Sequence, residues 1–210
     1  MPDTNKGLKM KKMFLIMIVV ISFIVISNAQ DLISLKNGTY ATSVKNNVGS
    51  VYEQSQVVTR EEIYDGIKII GNDAFILSTT VALNFIKQSP QHYRMVKENI
   101  KAIKQTKNTS VMMMIEQTFE VNDSHAFCDN YCYGSSIVHE ANHAKQMQDY
   151  SSAHGIPRES VPRVVYYGEQ AEMKCLKVQK DFLIAVGAPK SYLKWIDSAA
   201  ATRWWEKDSR

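Results

Sequence analysis

Ile137-Val138-His139-Glu140-Ala141-Asn142-His143-Ala144 is the stretch on which the reading turns. On a helix, residues four apart share a face, so the imidazoles of His139 and His143 can reach one cation. Glu140 follows the first of them, with a carboxylate able to take a proton from a water held there. Ile137, Val138, Ala141 and Ala144 are apolar or small and suit a helix turned partly inward. The arrangement fits hydrolysis at zinc (Zn2+): two neutral nitrogens, a base beside them, and an ion that lowers the pKa of water and polarises a carbonyl.

A catalytic zinc keeps three protein ligands and one open position, so a third donor must come from elsewhere. Asp149 lies six residues past His143, but the position where a glycine would break the helix is Gln146. A helix that continues carries Asp149 about two turns from the ion. The better source is Gly168-Glu169-Gln170-Ala171-Glu172-Met173-Lys174-Cys175. Glu172 heads a stripe with Cys175, Leu176, Gln179 and Leu183 at helical spacing, so it is expected to face inward, where a carboxylate needs a cationic partner. Glu169, one turn earlier, is the substitute. Tyr166, Tyr167 and His154 are candidates to stabilise an oxyanion, and Gln146 is a candidate to orient a ligand.

Around these residues the chain resembles the gluzincin-type HExxH metallopeptidases, especially bacterial families of uncharacterised metallopeptidases. The resemblance rests on Ile137-Val138-His139-Glu140-x-x-His143, Gln146, Glu172-x-x-Cys175-x-x-x-Gln179 and Gly187-Ala188-Pro189, and spans about residues 62 to 195. It implies a zinc peptidase with His139, His143 and Glu172 as metal ligands, Glu140 as general base, and a peptide or protein as substrate. The Asn-Glu-x-x-Ser-Asp form of the best-known gluzincins is absent, so Glu172 and Glu169 both stay open as the third ligand. Two other readings share the scaffold: an exported binding domain without catalysis, and a secreted effector protease with a specific protein target.

Lys9, Lys11 and Lys12 precede an uncharged apolar run from Met13 to Ile26, and Ser27-Asn28-Ala29 offers small residues for cleavage. The run is shorter than the ~20 residues of a membrane-spanning helix. Residues 1–29 are therefore expected to be a cleaved signal peptide, residues 30–61 a lead-in, and residues 62–210 the metallopeptidase domain, in the periplasm or secreted. The chain has 25 basic and 21 acidic residues; without residues 1–29 the balance is 21 against 20, or +1. That near-neutral charge argues against nucleic acid as partner. In an oxidising compartment the three cysteines, Cys128, Cys132 and Cys175, predict one disulfide and one free thiol, in any of three pairings. Nothing in the sequence fixes an oligomeric state.

The remaining pattern predicts an α+β, zincin-like fold: a small sheet packed on the active-site helix, with further long helices. A strand is expected from Glu62 to Ile70, a helix capped by Asn72, and a second helix opened by Pro90 that carries Ile100 and Ile103. Lys101 to Ser110 is expected to be a polar connection, and Val111–Ile115 and Thr118–Val121 to be extended. Asn122–Gly134 reads as a loop. The motif helix is then capped by Ser135 or Ser136 and ends near Tyr150. A long helix is expected from Ser160 and Pro162 to Gly187, followed by a short one. Trp195, Trp204 and Trp205 in the tail are expected to dock onto the body.

Overall fold

The computed structural model describes residues 59–202; the expected signal segment, most of the lead-in, Trp204 and Trp205 lie outside them. The architecture is α+β, a five-stranded mixed sheet with long helices.

The first strand expectation resolves into two strands. β1 (Arg60–Tyr64) and β2 (Ile67–Gly71) pair antiparallel, and Asp65-Gly66 between them forms the turn. Both turn residues take positive φ, 49° at Asp65 and 89° at Gly66. Two-residue hairpins need that left-handed backbone, which Asp tolerates and Gly adopts freely. Three side chains then tie the turn to the helices. The Tyr93 hydroxyl and Lys97 Nζ donate to the Asp65 carboxylate at 2.6 and 2.8 Å, and Lys87 Nζ lies 3.5 Å away.

Asn72 caps α1 (Asp73–Ile86) as the sequence predicts, accepting from the Phe75 amide at 2.8 Å. Ser89 and Pro90 open α2 (Pro90–Asn99), which stops earlier than expected. Ile103 belongs to β3 (Ala102–Thr106), a central strand in the stretch expected to be a polar connection. Parallel partners on both sides, β2 and β5 (Thr118–Asn122), impose strand structure on this short segment. β4 (Val111–Met113) pairs antiparallel with β5 and closes the sheet in the order β1-β2-β3-β5-β4. Ile67 and Ile69 on β2, and Phe119 and Val121 on β5, alternate into the core.

Asn122 caps a single helical turn, α3 (Asp123–Ala126), inside the expected loop. The motif helix α4 (Asn130–His154) is longer than predicted at both ends. Its cap is Asp129, which accepts from the Cys132 amide at 3.0 Å, and not Ser135 or Ser136, whose hydroxyls donate to the Cys132 carbonyl. Starting nearly two turns earlier buries Tyr133 against Thr79, with their hydroxyls 2.9 Å apart. Gly155 ends the helix with φ 62°.

The other long helix also differs. Ser160 and Pro162 lie among two short 3-10 turns (Arg158–Ser160 and Arg163–Val165), and α5 (Glu169–Ala185) begins only after Gly168. Phe182 on α5 meets Phe85 on α1 and His92 on α2 edge to face, a burial worth about 2–3 kcal/mol for such a ring. α6 (Lys190–Thr202) follows, with Ile196 buried. Trp195 stays 49% exposed, in a shallow cavity of about 400 Å³ beside Tyr192 and Cys132, so its expected docking is only partial.

The Asp65 clamp predicts a pH effect with a definite sign. Hydrogen bonds from Lys97 and Tyr93 hold its carboxyl at about 2, below its ordinary 3.8. Its stabilising contribution is therefore complete above about pH 4 and lost as pH falls through 2. Asp65→Asn, which keeps the turn conformation, should lower Tm at pH 6, and the gap between the two proteins should shrink as pH falls through about 2 and close below it. A gap independent of pH would show that the charge contributes nothing.

Candidate metal centre

α4 and α5 pack against each other along much of their length, and the candidate residues meet where they cross. His139 and His143 lie one turn apart on α4, and their Nε2 atoms approach to 3.1 Å. Both residues are buried, 7% and 4% exposed. Each ring is held from behind. His143 Nδ1 lies 2.9 Å from the Tyr166 carbonyl, which only accepts, so Nδ1 carries a proton and Nε2 is the nitrogen turned to His139 and Glu172. His139 Nδ1 lies 3.0 Å from Gln179 Oε1 in the same sense.

α5 brings two further donors. Glu172 is 2% exposed, with Oε2 3.3 Å from His139 Nε2 and Oε1 3.4 Å from His143 Nε2. Cys175 Sγ, on the next turn, forms with the two imidazoles a buried group whose ligand atoms all lie within 4.8 Å of one another. His139, His143 and Cys175 thus form a buried cluster that could hold a metal ion.

The two α5 donors differ electrostatically. Burial alone would raise the Glu172 carboxyl, yet the facing imidazoles of His139 and His143 hold it down at about 2, so it is an anion at neutral pH. Burial works against charge on His143 as well, but Cys175 and Glu172 beside it raise its pKa well above the ordinary value. The Cys175 thiol is pushed up by burial, against a lowering influence from His143. Its sulfur is also engaged, accepting amide hydrogens from Asn142 and Gln146 at 3.2 Å each.

A divalent ion fits this donor set. Four ligands at about 2.0–2.1 Å around a tetrahedral zinc stand about 3.3 Å from one another. The 3.1 Å between the two imidazole nitrogens, and the 3.3 and 3.4 Å from them to the two different oxygens of Glu172, are of that order. Glu172 Oε2 is buried and accepts no hydrogen bond, an arrangement that is costly unless something else satisfies it.

The other candidates lie elsewhere. Glu140 is partly exposed beside His139. Glu169 stands at the exposed first position of α5, one turn before Glu172. Asp149 is on the exposed side of the unbroken helix, paired with Lys145. Tyr167 lies under the Arg163 guanidinium, 4.3 Å from it, and His154 stacks on Tyr150 three turns past His143. Gln146 donates to Cys175 and to the Ala171 carbonyl, and is not bonded to either imidazole. The groups behind the imidazoles are Gln179 and the Tyr166 backbone. Gln179 was visible in sequence as a polar residue on the Glu172 stripe, whereas a backbone carbonyl leaves no sequence signal.

Cys128 and Cys132 form the disulfide at the start of α4, which leaves Cys175 as the free, fully buried thiol. No family model, curated protein or solved structure matches the chain, so the centre is read from its own geometry.

The cysteine arrangement is open to direct count. Without reductant, the folded protein should show no thiol reactive to a chromogenic disulfide reagent, one in denaturant, and three after reduction and denaturation. A thiol reacting quickly in the native state would contradict the burial of Cys175.

Proposed function

We propose that the chain is a zinc-dependent hydrolase of the HExxH class that cleaves peptide bonds. The observation carrying this reading is the buried triangle of His139 Nε2, His143 Nε2 and the Glu172 carboxylate, with separations of 3.1 to 3.4 Å. These three residues would hold zinc, with Glu172 favoured over Glu169 because Glu172 is buried and faces both imidazoles. Zinc, when bound, supplies a Lewis acid that polarises the scissile carbonyl and lowers the pKa of water.

The chain's own residues supply the rest. Glu140, next to His139 and not among the three donors, takes a proton from the attacking water on its carboxylate and passes it to the leaving nitrogen. Tyr166, through its carbonyl, and Gln179, through its amide oxygen, keep the Nδ1 proton on His143 and His139. The substrate is a peptide or protein and not a nucleic acid. The Cys128–Cys132 disulfide supports an exported location, since such bonds persist in oxidising compartments. Among the described residues no helix is long and apolar enough to cross a membrane.

Cys175 favours a second reading, an exported binding domain whose metal is held by His139, His143 and Cys175 without catalysis. Cobalt in place of zinc separates the two. A His-His-Glu set should give visible ligand-field bands without a strong near-ultraviolet sulfur-to-cobalt band, and Cys175→Ser should leave the spectrum unchanged. A strong sulfur band lost in Cys175→Ser would move the third ligand to Cys175.

Catalysis has its own test. Glu140→Gln should retain zinc at wild-type stoichiometry and lower kcat on a cleaved peptide by 10²-fold or more, the scale of general base catalysis. Full activity in that variant would remove Glu140 from its role.

A further inference from the structure

Gln179 is 3% exposed and Ser135 0%, so their polar atoms depend on partners within the protein. The Gln179 amide is used at both ends. Oε1 faces His139 Nδ1 at 3.0 Å, and Nε2 donates to Ser135 Oγ at 3.0 Å. Ser135 Oγ in turn donates to the Cys132 carbonyl at 3.2 Å. The chain of bonds has one polarity. The Cys132 carbonyl can only accept, so the Ser135 proton points to it and the Ser135 lone pairs face Gln179. That turns the NH2 of the amide toward Ser135 and its oxygen toward His139.

We propose that Gln179 and Ser135 are positioning residues for the metal centre: together they lock His139 as the Nδ1–H tautomer, with its Nε2 lone pair turned to the ion. The inference rests on the reading of His139 as a metal ligand. Ser135 acts through Gln179. Without its hydroxyl the buried NH2 loses its acceptor, and the amide is free to turn over and present N–H to the imidazole. His139 would then carry its proton on Nε2, the atom needed for the metal. The acceptor is also a neutral amide, which polarises the imidazole less than a carboxylate would.

Zinc affinity measured by competition with a chromophoric chelator tests this on the full chain, together with imidazole nitrogen NMR of the metal-free protein. Gln179→Met, close in volume, should weaken zinc binding about 10- to 100-fold, the usual effect of losing a hydrogen bond behind a ligand. Ser135→Ala should weaken it less, and should add nothing to Gln179→Met, because both act on one bond. Gln179→Glu, which restores an acceptor to which Ser135 can turn its proton, should recover wild-type affinity or exceed it. The NMR spectrum should show Nδ1–H on His139 in wild type and a mixture of tautomers in Gln179→Met.

A purely structural role would lower the metal-free Tm and leave affinity and tautomer unchanged. That result, or additive losses in the double variant, would overturn the proposal. If the wild type binds no zinc, the metal reading fails by itself; the tautomer spectra then still decide whether Gln179 and Ser135 orient His139.

Discussion

A carboxylate buried against two imidazoles is the interaction on which the architecture depends. Taking Glu172 out of water costs several kcal/mol unless opposite charge and good geometry repay it. Here repayment requires α4 and α5 to be held in one register, since a shift of a single residue on either helix would turn one of these side chains away from the others. The core provides that rigidity. Tyr133, Ile137, Val138 and Ala141 pack α4 on several sides, and Phe182 and Leu183 fasten α5 near Gln179. α4 is accordingly buried around much of its circumference and not along a single stripe, as befits a helix at the centre of a domain.

The sheet's part is indirect. Its strands β2, β3 and β5 present Ile67, Ile69, Ile103, Phe119 and Val121 to the core, and β4 adjoins α4. The Asp65 turn, bound to Tyr93 and Lys97 on α2, ties the hairpin edge of this sheet to a helix that itself packs on α4. A polar clamp on the surface and an apolar layer beneath it thus brace the helix that carries both histidines.

Much of the centre was legible because local spacing carries it. His139 and His143 share a face by helical arithmetic, and Glu172 shares a stripe with Cys175 and Gln179 for the same reason. Asn72 and Pro90 marked helix starts through capping chemistry that needs no tertiary information. The losses came where long-range pairing or competing caps decide. Ala102–Thr106 has the polar composition of a connection, yet two parallel neighbours make it a central strand. Asp65-Gly66 is a strong hairpin signal, but the apolar run after it resembled the continuation of one strand. Asp129 and Ser135 are both good caps, and the choice between them depends on burying Tyr133 against Thr79, a contact 54 residues apart. Ser160 and Pro162 have the chemistry of a helix start, but the chain there forms short 3-10 turns that deliver the Tyr166 carbonyl to His143.

The contrast between Glu172 and Cys175 follows from their charge. Glu172 is already an anion, turned toward both Nε2 atoms, and needs no proton removed before it can bind a cation. Cys175 is a buried thiol that must lose a proton to become a good ligand, while two amide N–H groups occupy its sulfur. The same reasoning accounts for an amide at Gln179. With one carboxylate already buried at the centre, a second behind His139 would place another negative charge in the same buried region. A carboxamide satisfies the imidazole N–H and the Ser135 oxygen together and adds no charge, so the tautomer is fixed without raising the cost of burying Glu172.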